Sequence, residues 1–252
     1  MNTSDTMKPL ILIAGPCVVE DGDTCGKVAT ELGELQVRYG NRIKVYFKSS
    51  FDKANRSSIA SYRGPGIESG IRILDGIKRL YGIPVTTDFH TVEQVQQYGA
   101  MFDVIQIPAL LSRQTDLIAS AAMVGSIVNV KKGQFMKPAD VIGIREKVRG
   151  AEQFWITERG TSFGFGRLVV DFTGFDIMRP HADRIIMDCT HSNNGKRIDT
   201  ATLARCSIAA GADGLFIETH PNPDKAKCDG PNSLDLKELG PLVGWIIAKY
   251  TG

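Results

Sequence analysis

Short apolar segments recur along the chain, and each is followed by a longer segment with apolar residues at helical spacing. The short segments are mostly rich in Val and Ile and do not alternate with polar residues, as in strands that are covered on both faces. They predict eight strands, over residues 10–14, 43–47, 84–87, 104–107, 126–130, 154–157, 184–187 and 214–217. The longer segments predict helices near 22–39, 66–81, 91–99, 113–124, 138–149, 173–181, 198–210 and 234–249.

Residues that favour helix boundaries agree with this division. Pro138 and Asp140 mark a helix start, and glycines follow three predicted helices, at Gly40, Gly82 and Gly125. Eightfold strand–helix alternation predicts an α/β protein with a (β/α)8 TIM barrel. A doubly wound sheet is the alternative, but the sequence has neither a GxGxxG motif nor a P-loop. We therefore expect a single domain, with a short tail over 1–8 and the barrel over 9–252.

The amino-acid composition and net charge argue against several classes of protein. The chain has 252 residues, is 42% hydrophobic and 23% charged, and contains no apolar run that approaches a membrane span. Its net charge of +2 provides no broad basic surface, so we expect no nucleic-acid or membrane partner. Residues 1–8 lack the apolar centre of a secretory signal. The five cysteines form no CxxC pair, which favours a reducing compartment and predicts a cytoplasmic protein.

The ends of the predicted strands are unusually rich in charged and metal-competent side chains. In a TIM barrel the active site lies at the carboxyl ends of the strands. In chain order, those ends carry Cys17, Lys48, Lys53, Arg56, Asp88, His90, Gln106, Arg113, Lys131, Lys132, Glu158, Arg159, Asp188, His191, Glu218 and His220. Each could be a surface group, and the basic segment FKSSFDKANRSS (47–58) could be a solvated loop. Together they predict a cationic site for an anionic ligand that can also hold a metal.

Several long motifs resemble those of the 3-deoxy-D-manno-octulosonate 8-phosphate (KDO8P) synthases. They are IAGPCVVE (13–20), FKSSFDKANRSS (47–58), TTDFH (86–90), IQIPALLSRQTD (105–116), NVKKGQF (129–135), TERGTSFGF (157–165), CTHS (189–192) and FIETHPNPDKAKCDGPNS (216–233). The resemblance covers nearly the whole chain. It implies a TIM-barrel transferase, commonly a homotetramer. Such an enzyme condenses phosphoenolpyruvate with D-arabinose 5-phosphate and water, and it releases phosphate and KDO8P for lipopolysaccharide synthesis.

The resemblance also implies roles for particular residues. It assigns the phosphoenolpyruvate cradle to Lys48, Gln106, Arg113, Lys132 and Arg159. It assigns the arabinose 5-phosphate site to Lys53, Asn55, Arg56 and Ser57. Candidates for the catalytic steps are Lys53, Asp88, His191 and Glu218, which could handle the alkoxide, the developing positive charge or the attacking water.

A divalent metal is implied by the residue after the GP pair of the first motif. Members of the family that need a metal have cysteine there, and this chain has Cys17. The resemblance carries the other ligand positions onto His191, Glu218 and Asp229. This donor set suits Zn, Fe(II), Mn or Cd. Cys228 precedes one of these positions and receives no role.

One segment departs from the family pattern. After CTHS the chain reads CTHSNNGKRIDTATLARCS, which is shorter than the loop that covers substrates in many members. The difference indicates either a more open site or a trimmed surface turn, and residues Asn193 to Arg197 could replace some of the missing contacts. Rival functions are a seven-carbon synthase that uses erythrose 4-phosphate, a sialic-acid-type synthase, and a catalytically silent barrel that binds a metabolite. KANRSS in place of the KPR[ST] of seven-carbon synthases favours the five-carbon aldehyde.

Overall fold

Eight parallel strands close into a barrel that is surrounded by helices in a computed structural model, which describes residues 8–125, 127–163 and 167–250. The strands are β1 (Leu10–Gly15), β2 (Ile43–Lys48), β3 (Val85–Asp88), β4 (Val104–Ile107), β5 (Ile127–Lys131), β6 (Gln153–Glu158), β7 (Arg184–Asp188) and β8 (Gly214–His220). Each strand pairs with its successor, and β1 also pairs with β8, which closes the barrel. The predicted TIM barrel is confirmed.

Helices follow the strands in the order that the sequence predicts. They are α1 (Gly22–Tyr39), α2 (Ile67–Tyr81), α3 (Val92–Tyr98), α4 (Thr115–Val124), α5 (Val141–Lys147), α6 (Gly174–Met178), α7 (Thr200–Ala209) and α8 (Leu236–Tyr250). None of the described helices is long and apolar enough to cross a lipid bilayer. The helix α1 has the predicted bounds because Asp21 caps its start, accepting a hydrogen bond from the Thr24 N–H at 2.7 Å, and Gly40 ends it.

The core has two layers. Side chains on the outer face of the barrel, such as Leu12 and Val45, pack against the helices in one large cluster. A second cluster fills the barrel interior, where Tyr46 and Trp155 meet edge to face with ring centroids 5.2 Å apart. Further along the strands the interior residues become polar, as at Lys48, two positions after Tyr46. The carboxyl ends of the strands therefore enclose a polar layer above an apolar plug.

Several predicted helix bounds are wrong at the ends. Short 3₁₀ turns over Pro138–Asp140 and Arg197–Asp199 precede α5 and α7, so these α-helices begin later than predicted. Residues 234 and 235, predicted to open the last helix, instead form a two-residue strand, β9 (Leu234–Asp235), which pairs in parallel with β8. A hydrogen bond from the Thr219 hydroxyl to the Leu234 carbonyl, at 3.0 Å, supports this pairing. Ser126, predicted to begin the fifth strand, lies outside the described residues, as do residues 1–7 of the predicted tail.

Candidate active site at the carboxyl ends of the strands

A cavity of about 390 Å³ opens where the strands end. Its volume lies in the range of roughly 300–1,000 Å³ that is typical of small-molecule sites. Nine of the predicted site residues line it: Lys48, Lys53, Asn55, Arg56, Ser57, Asp88, Arg159, His191 and Asp229. Lys131 adds a further cation to this lining. The cavity therefore concentrates positive charge in a chain whose net charge is close to zero.

Two lysines at the end of β2 and in the following loop lie beside buried carboxylates. Lys48 Nζ lies 3.0 Å from Glu218 Oε1 and 3.7 Å from Asp88 Oδ2, and Lys53 Nζ lies 3.9 Å from each of these atoms. Burial acts to lower the pKa of both lysines, but the carboxylates outweigh it. The pKa of Lys48 is raised, and that of Lys53 is raised well above its usual value, first by Cys17 and then by Glu218 and Asp88. Both lysines are therefore charged at neutral pH.

Asp88 is held by a chain of hydrogen bonds that crosses the barrel. It accepts from the Ser50 hydroxyl at 2.5 Å and from Gln106 Nε2 at 2.7 Å. Asn129 donates to Gln106 Oε1 at 3.0 Å, and Thr157 donates to Asn129 Oδ1 at 2.8 Å. Burial acts to raise the pKa of Asp88, yet the neighbouring lysines hold it well below its usual range. Gln106, predicted to bind substrate, lies beneath the cavity and orients this carboxylate.

Two consecutive lysines at the carboxyl end of β5, Lys131 and Lys132, point in opposite directions. Lys131 lines the cavity and donates to Asp188 Oδ2 at 2.6 Å. Lys132, predicted to bind phosphoenolpyruvate, is fully buried outside the described cavity lining, and its Nζ lies 3.4 Å from Glu158 Oε2. Strand alternation is the signal that could have distinguished them, since the residue two positions after the inward-facing Asn129 is Lys131.

The two predicted arginine contacts to phosphoenolpyruvate are placed differently. Arg159, which follows β6, lines the cavity, and its Nη1 atom is buried without a hydrogen-bond partner among the described residues. A buried guanidinium N–H in that state is suited to an anionic ligand. Arg113 is exposed and lines a neighbouring cleft that shares His90 with the main cavity. The structure therefore brings Arg159, but not Arg113, to the cavity.

The loop after β2 supplies the predicted sugar-phosphate residues, and Asn55, Arg56 and Ser57 all line the cavity. Arg56 Nη1 lies 2.9 Å from Cys228 Sγ, which joins this loop to the segment after β8. Cys228 Sγ also lies 2.9 Å from Cys17 Sγ. Burial is the largest cause that raises the pKa of Cys17 well above its usual value, and the Cys228 contact and Glu218 add to it.

Potential metal ligands from three strand ends lie close together. Cys17 Sγ is 3.2 Å from Asp229 Oδ2, and His191 Nε2 is 3.7 Å from both Asp229 Oδ2 and Glu218 Oε1. Two overlapping groups result, Cys17 with Cys228 and Asp229, and His191 with Glu218 and Asp229, each with ligand atoms within 4.8 Å of one another. The buried Glu218 Oε2 has no hydrogen-bond partner among the described residues. One sulfur, one imidazole and two carboxylates form a donor set that fits a divalent transition metal, and Glu218 Oε2 is an oxygen of that set that no described protein group uses.

His191 is oriented by Asp188, which the sequence places at a strand end without a role of its own. His191 Nδ1 lies 2.9 Å from Asp188 Oδ2, and the backbone N–H groups of Thr190 and His191 donate to Asp188 Oδ1. Nε2 is thereby directed toward Glu218 and Asp229. Burial opposes the charge on the imidazole, but Asp188 and Glu218 outweigh it and raise the pKa of His191.

Sequence reasoning missed several residues of the cavity wall. They are Pro108, Ala109, Leu110 and Gln134, whereas His90 and Lys131, which the sequence places at strand ends, also line the cavity. The missed residues lie in the segments after β4 and β5. Loop residues have no strand or helix periodicity, so only the general rule that a barrel site is built from these loops could have indicated them.

Comparisons with known proteins agree with this geometry. A model of the DAHP synthetase I family matches residues 5–248. The chain is 47% identical over 253 residues to the 2-dehydro-3-deoxyphosphooctonate aldolase of Desulfosudis oleivorans, covering 95% of this chain and 90% of the relative. It is 46% identical over 246 residues to the protein of the same name from Trichlorobacter lovleyi, covering 93% and 90%. The chain belongs to the DAHP synthetase I family.

Proposed function

We propose that this protein is a transferase that condenses phosphoenolpyruvate with D-arabinose 5-phosphate and water, giving KDO8P and phosphate. The name shared by relatives that match over 90% or more of the chain denotes this activity. The observation that carries the proposal is the convergence of five cations, Lys48, Lys53, Arg56, Lys131 and Arg159, on one cavity. Two phosphorylated substrates, one of which also has a carboxylate, require several charge-assisted contacts of this kind.

We infer that phosphoenolpyruvate lies on the side of the cavity formed by Lys48, Lys131 and Arg159. The unpaired Nη1 of Arg159 supports this placement, because it offers a donor that no described protein group uses. Lys131 takes the place that the sequence assigned to Lys132, since Lys132 is engaged with Glu158. Arg113 lines the neighbouring cleft and not the main cavity, so we assign it no contact with phosphoenolpyruvate.

The phosphate of arabinose 5-phosphate is assigned to Asn55, Arg56 and Ser57. These residues form the part of the cavity that belongs to the loop after β2. The arginine can hold a phosphate with two parallel hydrogen bonds, and the amide and hydroxyl can add further donors. The aldehyde end would then extend toward Lys53, which lies close to Ser50, Asp88 and Glu218.

Cys17, His191, Glu218 and Asp229 would hold the divalent metal. When bound, the metal supplies a Lewis-acidic positive charge beside the aldehyde. Around it, Asp188 fixes the orientation of His191, and the unpaired Glu218 Oε2 offers a carboxylate oxygen.

Condensation joins C3 of phosphoenolpyruvate to the aldehyde carbon while water adds at C2 and the C2–O bond to phosphate breaks. Of the two protons of the water, one ends on the new hydroxyl and the other leaves with the phosphate. The aldehyde oxygen gains negative charge, which Lys53 can stabilise or protonate from its ammonium group. Positive charge that develops at C2 would be stabilised by Asp88 and Glu218, whose pKa values are both held below their usual range. The departing phosphate would be held by Lys131 and Arg159. The charges that develop on the aldehyde oxygen, on C2 and on the departing phosphate would thus be stabilised mainly by side chains that already line or adjoin the cavity.

Phosphate release from phosphoenolpyruvate, measured with arabinose 5-phosphate before and after chelation, tests both parts of the proposal. We expect the activity to be lost with chelator and restored by a divalent metal. Activity that resists exhaustive chelation would refute the metal and keep the synthase. Release that requires erythrose 4-phosphate would favour the seven-carbon rival, and binding of both substrates without release would favour the silent barrel.

A further inference from the structure

The shortened segment after His191 lies between two parts of the site, and two adjacent asparagines connect it to both. Asn193 is almost fully buried, and Asn194 follows it with a left-handed backbone at φ 57°. Neither side chain lines the described cavity. Besides local hydrogen bonds, from Asn194 Nδ2 to the Ser192 carbonyl at 2.9 Å and from the Gly195 N–H to Asn193 Oδ1 at 3.1 Å, they form hydrogen bonds with the segments that carry Arg159 and Asp229.

Asn194 contacts the segment after β6 as a strand neighbour would. Its Oδ1 accepts from the Leu168 N–H at 2.7 Å, and its Nδ2 donates to the Leu168 carbonyl at 3.2 Å. The residue after Leu168, Val169, forms two backbone hydrogen bonds with Thr161, at 2.8 and 3.1 Å. Thr161 lies two positions after Arg159 and is separated from it only by Gly160. One asparagine amide therefore holds Leu168, the neighbour of the Thr161–Val169 bridge that begins two residues after Arg159.

Asn193 contacts the turn after β8 in a corresponding way. Its Nδ2 donates to the Asn232 carbonyl at 3.0 Å and to the Thr200 hydroxyl at 3.1 Å. The Asn232 N–H donates to the Asp229 carbonyl at 2.9 Å. Asp229 itself has a left-handed backbone at φ 49°, which is uncommon for a residue with a side chain and needs support from its surroundings. Asn193 therefore fixes the turn that presents a metal-binding carboxylate.

We propose that Asn193 and Asn194 are positioning residues that act on different ligands of the site: Asn194 aligns Arg159 for phosphoenolpyruvate, and Asn193 aligns Asp229 for the metal. The short segment thus serves as a fixed connector between two functional turns. The inference rests on the proposed roles of Arg159 and Asp229. It predicts that the two neighbouring asparagines, although adjacent in sequence, have separable effects.

The variants are chosen to remove hydrogen bonds without adding strain. Asn194→Gly removes the amide and keeps the left-handed backbone, which glycine adopts without steric cost. Asn194→Asp keeps the acceptor for the Leu168 N–H and loses the donor, so it should rescue part of the effect. Asn193→Ala removes the donor to Asn232. Asn41→Ala, at an exposed position at the opposite end of the barrel, is the matched control.

The experiment measures phosphoenolpyruvate affinity by calorimetry, bound zinc by elemental analysis after dialysis, and Tm for every variant. For Asn194→Gly we expect phosphoenolpyruvate affinity to fall about tenfold, with unchanged zinc content. For Asn193→Ala we expect the zinc retained after dialysis to fall about tenfold and phosphoenolpyruvate affinity of the zinc-loaded protein to stay within about twofold of wild type. Asn41→Ala should match wild type in all three readouts.

Equal losses of both ligands in both asparagine variants would overturn the inference, and so would unchanged binding in both. Loss of zinc in Asn194→Gly, with phosphoenolpyruvate affinity preserved, would also contradict it. A different result would refute the proposed function. If the wild-type protein binds phosphoenolpyruvate and zinc but forms no eight-carbon product, the reaction assignment is wrong, while the two variants still decide the roles of the asparagines.

Discussion

Replacing Lys132 by methionine tests the opposite placement of the two consecutive lysines. The structure buries Lys132 beside Glu158, with side-chain exposures of 1% and 3% and a distance of 3.4 Å from Nζ to Oε2. Methionine keeps an unbranched apolar chain but leaves the carboxylate without its cation. Removing one partner of a buried ion pair costs about 3–5 kcal/mol. Because 1 kcal/mol shifts Tm by roughly 2–4 °C in a chain of this size, we expect Lys132→Met to lower Tm by roughly 6–20 °C.

The pH dependence of this loss follows from Glu158. Burial raises the pKa of Glu158 above its usual value, although Lys132 opposes this. A raised carboxyl pKa means that the folded state favours the protonated acid, so this contribution to stability is full below the unfolded pKa and is lost as pH rises through the folded pKa. Without Lys132 the folded pKa rises further. The Tm difference between Lys132→Met and wild type should therefore be large at pH 7.5 and smaller at pH 5.

Two further variants serve as controls. Lys132→Met combined with Glu158→Gln removes the charge but keeps an acceptor for the Gly160 N–H, and it should recover much of the lost Tm. Lys131→Met should abolish phosphoenolpyruvate binding with a smaller loss of Tm, because Asp188 keeps its hydrogen bonds with His191 and two backbone N–H groups. Scanning calorimetry and binding calorimetry give the two readouts. Lys132→Met with unchanged Tm and lost phosphoenolpyruvate binding would refute the assignment.

Three other substitutions probe the remaining groups. Cys17→Ser should lower the zinc retained after dialysis at least tenfold, an order of magnitude typical of losing a metal ligand or its support; elemental analysis showing full occupancy would remove Cys17 from the ligand set. Arg56→Ala should raise KM for arabinose 5-phosphate about 10- to 100-fold with little change for phosphoenolpyruvate, and equal changes for both would contradict the assignment. Asp88→Asn removes a negative charge that raises the pKa of Lys53, so the alkaline limb of the pH–rate profile should move to lower pH; an unchanged profile would exclude Lys53 as the titrating group.

The barrel could be predicted from sequence because its signals are local and repeated. Apolar strand segments and helical spacing recur in every unit, and glycines mark several helix ends, so errors at one boundary leave the architecture unchanged. Because the active site of a TIM barrel lies at the carboxyl ends of its strands, the predicted strands also indicate which end of the barrel carries the site. Lys48 and Asp88 lie at that end because they are the last residues of β2 and β3. Glu218 lies there because it is near the carboxyl end of β8, on the interior face.

Other features of the structure depend on the orientation of side chains and on contacts between distant segments, which local sequence patterns do not encode. A shift of one residue moves a side chain to the other face of a strand, which separates Lys131 from Lys132. Gln106 has the expected position, but its amide is occupied by Asp88 and Asn129, and no local pattern reveals this. The pairing of residues 234 and 235 with β8 is likewise a tertiary contact that overrides an apolar, helix-compatible sequence.

The most direct test of the account is identification of the product that the wild-type protein forms from phosphoenolpyruvate and each aldose phosphate. Purified, metal-loaded protein would be incubated with arabinose 5-phosphate or erythrose 4-phosphate, and the products would be quantified by mass spectrometry. We expect the eight-carbon KDO8P with equimolar phosphate, and a much higher kcat/KM for the five-carbon aldehyde. A seven-carbon product as the favoured one, or no carbon–carbon bond formation with either aldehyde, would contradict the account.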